Sequence, residues 1–67
     1  MVDIGSIGVL NSPKTMEMNG QFYPIAEAGD NVQVVRLLDE HQVQVVKVGN
    51  DDLNTSFYVF INDVDWM

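Results

Sequence analysis

Short runs of apolar residues are separated by polar and turn-forming residues along the chain, a pattern typical of β-strands. Residues 32–37 read VQVVRL and residues 43–48 read VQVVKV, so one strand pattern occurs twice. Residues 57–61, FYVFI, carry aromatic or branched side chains on both faces, which predicts a buried central strand. The 11 valines and 4 isoleucines outnumber the 4 leucines, and β-branched side chains favour sheets. We expect an all-β protein without a helix of ordinary length.

The segment from Val2 to Leu10 is predicted to be a bent strand, because Gly5 and Gly8 interrupt its apolar residues. Residues 11–13, Asn-Ser-Pro, end this strand, since proline has no N–H to donate to a ladder. A second strand is therefore expected to begin just after the proline.

Residues 19–20, Asn-Gly, predict a tight type I′ hairpin turn, because both central positions of that turn need a positive φ. The predicted cross-strand pairs are Met18 with Gln21, Glu17 with Phe22, and Met16 with Tyr23. Pro24 either ends the ladder or marks an edge strand. Met16 and Met18 are either core filler or contact residues, and we favour core filler.

Residues 32–37 and 43–48 are predicted to form a second hairpin, entered by a turn at residues 28–31 and joined by a short polar loop at residues 39–41. The predicted pairs are Val35 with Val45, Leu37 with Val43, Val34 with Val46, and Arg36 with Gln44. In this register the apolar side chains change face partway along the hairpin. Such a change occurs where a strand bends or bulges around a barrel.

The end of the chain is predicted to hold one helical turn. Asn62 is its expected cap, and Asp63 and Asp65 suit its positive end. A last short strand with Trp66 follows. With 67 residues, the chain forms a single domain, residues 1–67, which we expect to be a small five- to six-stranded β-barrel.

The charge of the chain narrows the possible partners. Three basic residues face ten acidic ones, for a net charge of −7, which disfavours nucleic acid and anionic membranes. Because the acids are scattered, we favour a role in solubility over attraction of a basic partner. No apolar run reaches the roughly 18 residues of a membrane span, and no export signal is evident, so a cytoplasmic location is expected.

Few residues suggest catalysis or metal binding. His41 beside Asp39 and Glu40 is a candidate acid–base group, but a solvated turn is the better interpretation because consecutive turn residues point apart. Acids at residues 51–52 and 63–65 are candidate calcium ligands, yet no window fits a hand-type loop. The chain has no cysteine, which excludes disulfides and thiolate sites. We expect the protein not to be an enzyme and to have no cofactor and no specific metal site.

The aromatic residues divide between core and surface. Six are present, at positions 22, 23, 57, 58, 60 and 66, and a core of this size is expected to bury three or four of them. Tyr23, Tyr58 and Trp66 are the candidate partner-binding residues, because Tyr and Trp are enriched at interface hot spots. The alternative is that they cover the ends of the barrel with their polar tips in water.

Two resemblances follow from these segments. The run AGDNVQVVRLL, QVQVVKV, SFYVFI and NDVDW, within residues 28–67, resembles the second half of an SH3-like barrel: a turn, three strands, one helical turn and a last short strand. Residues 5–48 are also similar to the OB-type barrel of NfeD-type membrane-associated proteins, with a glycine-flanked first strand, a proline, a glycine hairpin and a G-x-x-V-x-V strand. Residues 57–66 depart from that second pattern. Neither family implies catalytic residues.

The function expected from the sequence is that of a non-enzymatic protein–protein interaction module, an adaptor or regulator that docks on a larger protein through an aromatic or sheet-edge surface. Homo-oligomerisation through a sheet edge is a further possibility. One alternative is an OB-type domain that binds oligosaccharide or single-stranded nucleic acid, although three basic residues disfavour the latter. The other alternative is an acidic inhibitor that mimics nucleic acid.

Overall fold

The computed structural model describes residues 2–49 and 53–67. Within them the chain forms β-strands and two single 3₁₀ turns, at Leu53–Thr55 and Ile61–Asp63. The strands are β1 (Ile7–Leu10), β2 (Lys14–Met18), β3 (Gln21–Ala26), β4 (Asn31–Leu37), β5 (Gln42–Lys47), β6 (Phe57–Phe60) and β7 (Val64–Trp66). The predicted all-β fold is confirmed.

Five of the strands form one antiparallel sheet in the order β6-β5-β4-β1-β7. This sheet curls into a half-barrel, whereas β2 and β3 form a separate two-stranded hairpin. The second 3₁₀ turn carries the chain from β6 to β7, and the Trp66 indole N–H donates to the Ile61 carbonyl at 3.0 Å. That bond ties the two outermost strands of the sheet together at one end.

The hydrophobic core lies almost entirely in the half-barrel. Its buried residues are Leu10, Ala26, Val32, Val34, Val43, Val45, Phe57, Val59 and Val64. Gly8 permits the close approach of β1 and β7, because a Cβ on it would lie 2.5 Å from the Val64 Cγ1 and 2.8 Å from the Asp65 carbonyl oxygen. Gly8 is therefore a packing position inside a regular strand, and not the bend that we predicted.

A β-bulge divides the hairpin of β4 and β5. Arg36 pairs with Gln44 and Leu37 with Val43, as predicted. Beyond the bulge the register shifts by one residue, so Val34 faces Val45 and the predicted pairs of Val35 with Val45 and Val34 with Val46 are wrong. The extra residue, at position 35, places Leu37 on the same side of the sheet as Val34, which a regular strand would not do.

Three other predictions need correction. The first strand begins at Ile7, because residues before it form a turn around Gly5, whose φ is +90°. β6 is an edge strand with only alternate residues buried, not a central strand. The helical turn starts at Ile61, so Asn62 lies inside it and does not cap it.

The hairpin of β2 and β3 follows the prediction closely. All three predicted pairs are present, and residues 19 and 20 have positive φ angles of 53° and 78°. Pro24 lies within β3, which is an edge strand, and faces Thr15. Met16 and Met18 are half exposed, so the prediction that they fill the core is wrong.

Candidate functional site

Exposed apolar side chains concentrate in the hairpin and in β6. Six of the exposed large apolar residues lie there: Met16, Met18, Phe22 and Tyr23 in the hairpin, and Tyr58 and Phe60 in β6; others are scattered over the turns, the termini and the strands β1 and β4. Phe22 is 70% exposed and Tyr58 is 62% exposed. The expected burial of three or four aromatic residues is wrong: Phe57 is buried, Trp66 is partly buried, and the other four are exposed. Exposed apolar groups that lie side by side can mark a contact surface.

A groove separates the base of the hairpin from the start of β6. We call it the hairpin groove, and its walls are Lys14, Thr15, Met16 and Ile25 on the hairpin side and Ser56, Phe57 and Tyr58 on the β6 side. Its volume is about 340 Å³, and an adjoining hollow of about 400 Å³ shares three of these residues and reaches Lys47. The hairpin groove is open and mainly apolar.

The backbone of β6 is only partly used by its neighbour. The Ile61 N–H donates to the His41 carbonyl at 2.8 Å, which fixes the alternation of the antiparallel ladder. Phe57 and Val59 therefore exchange hydrogen bonds with β5, while the backbone groups of Tyr58 and Phe60 face away from it. The Phe60 N–H donates to the Asp63 carboxylate at 3.2 Å. Tyr58 thus presents both its N–H and its carbonyl at the sheet edge.

An ion pair fastens the base of the hairpin to the half-barrel. The Lys14 ammonium lies 2.5 Å from the Asp63 carboxylate, and both side chains are partly buried. Hydrogen bonding from Lys14, together with the Phe60 N–H and the Ser12 hydroxyl, lowers the pKa of Asp63 below its ordinary value. A looser ion pair joins Lys47 to Asp30 at 3.6 Å. The pKa of Asp30 is also lowered, mainly because its carboxylate accepts the Glu27 N–H.

A second groove, of about 600 Å³, lies between the β4–β5 loop and the second 3₁₀ turn. It contains the candidate acid–base residues His41, Asp39 and Glu40. The Asp39 carboxylate accepts the backbone N–H groups of residues 41 and 42 at 2.7 and 2.8 Å, so it stabilises the turn. The His41 ring is exposed and lies 3.6 Å from Glu40. This geometry is that of a capped surface turn, in which Asp39 holds the backbone and not the imidazole.

The candidate calcium ligands are separated in their roles. The Asp63 carboxylate is engaged by Lys14 and by the Phe60 N–H, and Asp65 is exposed on β7. Residues 51–52 lie outside the described residues. In the part of the chain that is described, no three potential metal ligands gather. The helical segments found there are single turns, none with the length and hydrophobicity to span a bilayer.

The three predicted partner-binding residues occupy different places. Tyr58 lines the hairpin groove, and Tyr23 lies across the ladder from Met16, which lines the same groove. The Tyr23 hydroxyl donates to the Gln21 side chain at 2.9 Å. Trp66 packs against the core on β7, at the opposite end of the strand order from Tyr58.

The sequence interpretation missed Met16 and Phe60 as surface candidates. The alternation of FYVF is a usable signal, because it places Phe57 and Val59 on one face and Tyr58 and Phe60 on the other. Which of these faces meets water depends on the position of β6 at the sheet edge, and the local sequence does not encode that position.

Comparison of the chain with protein-family models, with curated proteins and with solved structures gives no match.

Proposed function

We propose that the chain is a non-enzymatic protein-interaction module whose partner binds at the hairpin groove. The observation that carries this proposal is the apolar, exposed pair Met16 and Tyr58, which lie on opposite walls of one groove. Adaptable methionine and a tyrosine with both an apolar ring and a hydroxyl are typical of interface anchors. A partner that covers both would also cover the exposed edge of β6.

We further propose that the half-barrel is SH3-like rather than OB-type. The order of elements after residue 28 supports this: β4, β5 and β6 follow a turn, and a single 3₁₀ turn then leads to a last short strand. These are the elements by which the sequence resembles the second half of an SH3-like barrel. The segment from β6 to β7 is where the OB-type resemblance fails, and here it supplies two strands of the sheet.

A cross-linking experiment tests the interaction proposal. A photo-reactive residue in place of Met16, and separately in place of Tyr58, should capture one and the same protein from native extract. A photo-reactive residue in place of Leu38, which is exposed in the loop between β4 and β5, is the matched control. The captured protein is then purified, and Tyr58→Ala should weaken its binding about tenfold or more, as for a hot-spot residue. Equal capture by all three probes, or unchanged binding of the Tyr58→Ala variant, contradicts the proposal.

A further inference from the structure

We infer that the hairpin groove takes an extended, uncharged segment of a partner protein, which adds as a strand beside β6. This inference rests on the proposed function and specifies the partner's chemistry. It has three supports in the structure: the backbone groups of β6, the shape of the groove and the placement of charge around it.

The outward backbone groups of β6 are suited to pairing with another strand. The N–H and carbonyl of Tyr58 point away from β5, and so does the Phe60 carbonyl. An extended peptide in antiparallel register satisfies both Tyr58 groups through one hydrogen-bonded pair. A helix does not present a backbone donor and acceptor at that spacing, since it uses its own backbone groups internally.

The groove has walls suited to a single added strand. β6 borders one side and the base of β2 borders the other, so an inserted strand would lie between two strands of this chain. Side chains that alternate along the segment would point in turn towards Met16 and Ile25 and towards solvent. The half-barrel is open along β6, and such a strand would extend its wall.

The charges around the groove favour an uncharged occupant. Lys14 is paired with Asp63, and Lys47 is paired with Asp30, so both cations near the groove already have counter-ions. Among the described residues that line the two hollows, none is Asp or Glu. A charge carried into the groove would lose water without gaining a free partner, which is costly for either sign. By contrast, the groove around Asp39 and Glu40 is acidic.

The available edge is short. The Asp63 carboxylate already accepts the Phe60 N–H, so the strand register stops at that residue. The added strand would therefore pair with β6 mainly at Tyr58. Blocking N–H groups of the partner segment is then a sensitive test of that pairing. Only every second residue of the partner segment would bond to β6.

The test uses a short soluble peptide that alternates valine with threonine, titrated into the full chain and followed by amide NMR shifts. Two N-methylated versions are compared, one blocking the odd N–H groups and the other the even ones. We expect one version to bind about tenfold more weakly and the other to bind as the parent does, because one hydrogen-bonded set faces β6. The shifts should fall on residues 14–16 and 56–58.

Charge and chain variants complete the test. Replacing a groove-facing residue of the peptide by Lys or by Glu should weaken binding about tenfold in both cases, whereas the same change at the next, solvent-facing position should have little effect. The Tyr58→Pro variant, which lacks the outward N–H, should bind weakly, whereas Tyr58→Phe keeps the backbone and should bind within about twofold. The peptide series decides the matter if Tyr58→Pro does not fold.

Several results overturn the inference. They are equal binding of both N-methylated peptides, tighter binding of the Lys-containing peptide, shifts confined to the groove around Asp39, or dimerisation of the chain through β6. If the cross-links from Met16 and Tyr58 persist while no peptide binds at this groove, the partner site stands and strand addition is wrong. If both the cross-links and the peptides fail, the proposed function falls as well.

Discussion

The half-barrel and the hairpin of β2 and β3 are both antiparallel ladders but are stabilised differently. The half-barrel holds nearly the whole buried core, whereas the hairpin contributes Ala26 alone, at its last residue. The other residues of the hairpin are exposed or half-buried. Strand-forming side chains therefore produce a pleated ladder in both regions, and burial stabilises only the half-barrel.

The hairpin must draw its stability from other sources. An isolated two-stranded hairpin is marginally stable in water. Here the turn at residues 19–20 sets the register, and the pair of Lys14 with Asp63 fixes the base. The long axis of the molecule, 36 Å against 23 and 22 Å, fits a structure with one projecting arm. The hairpin is therefore an arm whose register is set at its turn and whose base is fixed to the half-barrel.

The largest difference between the regions should appear on removing a core side chain. Leu10→Ala should lower the free energy of unfolding by about 2–5 kcal/mol, because Leu10 is only 1% exposed. A domain of this size has about 3–10 kcal/mol in total, so the variant should lose a large share of its stability. Urea denaturation followed by circular dichroism measures the change.

The matched hairpin variant is Met18→Ala, whose side chain is 49% exposed. It should cost under about 0.5 kcal/mol, since surface substitutions rarely exceed that. Similar losses for Leu10→Ala and Met18→Ala would show that burial stabilises the hairpin as it stabilises the half-barrel.

The next effect concerns the contact between β1 and β7 in the half-barrel. Gly8→Ala adds a methyl group that meets the Val64 side chain and the Asp65 backbone, so β7 must shift. We expect a loss of about 1–3 kcal/mol, as for overpacking. Ile7→Val, on the adjacent and more exposed residue, serves as the control and should cost under about 0.5 kcal/mol. A neutral Gly8→Ala would mean that β1 and β7 are not closely packed.

A smaller effect should follow from the link between the two regions. Asp63→Asn removes the carboxylate that binds Lys14 and the Phe60 N–H, and should cost about 1–2 kcal/mol at neutral pH. Asp65→Asn, two residues away and exposed, is the matched control and should be near neutral. Thermal or urea unfolding of both variants checks the difference.

The same carboxylate predicts a pH dependence with a defined sign. Because the pKa of Asp63 is lowered in the folded chain, its stabilisation is present above the unfolded pKa of about 3.9 and is lost as the pH falls through the folded value. The wild type should therefore lose more stability than Asp63→Asn between about pH 5 and pH 2. A residual slope from Asp30, whose pKa is also lowered, should remain in both. Parallel pH profiles would contradict this role of Asp63.

The smallest global effect should come from the hairpin turn. Gly20→Ala places a Cβ at a φ of +78°, which costs about 1–2 kcal/mol locally, so amide exchange in the hairpin should accelerate about tenfold. Global unfolding should change by under about 0.5 kcal/mol, because the core lies elsewhere. Gly29→Ala carries the same strain at a φ of +99°, but the Gly29 N–H bonds to the Leu10 carbonyl in the half-barrel. That variant should lower global stability.

The extent to which the structure was predictable follows from how local each signal is. The Asn-Gly turn fixes its own register, so the three predicted pairs nearest the turn follow from residues within a few positions of each other. The register shift between Lys14 and Thr15, which pairs Lys14 with Ala26, was not predicted. The register of β4 and β5 was half predictable, because the bulge at position 35 serves the curvature of the whole sheet. The exposed face of β6 was not predictable, since it depends on which strands lie beside it.

The candidate site shows the same limit. Tyr58 was identified from its residue type alone, and Trp66 by the same rule, yet one lines a groove and the other packs on the core. Met16 was assigned to the core because methionine usually fills it, but the hairpin has no second layer to cover that face. Residue preferences identify candidates, and only the tertiary placement separates surface from core.

The position of Trp66 gives the molecule an intrinsic optical reporter. It is the sole tryptophan, and its indole N–H is bound to Ile61 where the first and last strands of the sheet order meet. Its fluorescence therefore responds to separation of those two strands, and should respond far less to fraying of the arm at its turn, residues 19–20, since the arm reaches the core that Trp66 packs against at its last residues, Ile25 and Ala26. Emission spectra and amide exchange, recorded on one sample, will distinguish the loss of the arm from the loss of the fold.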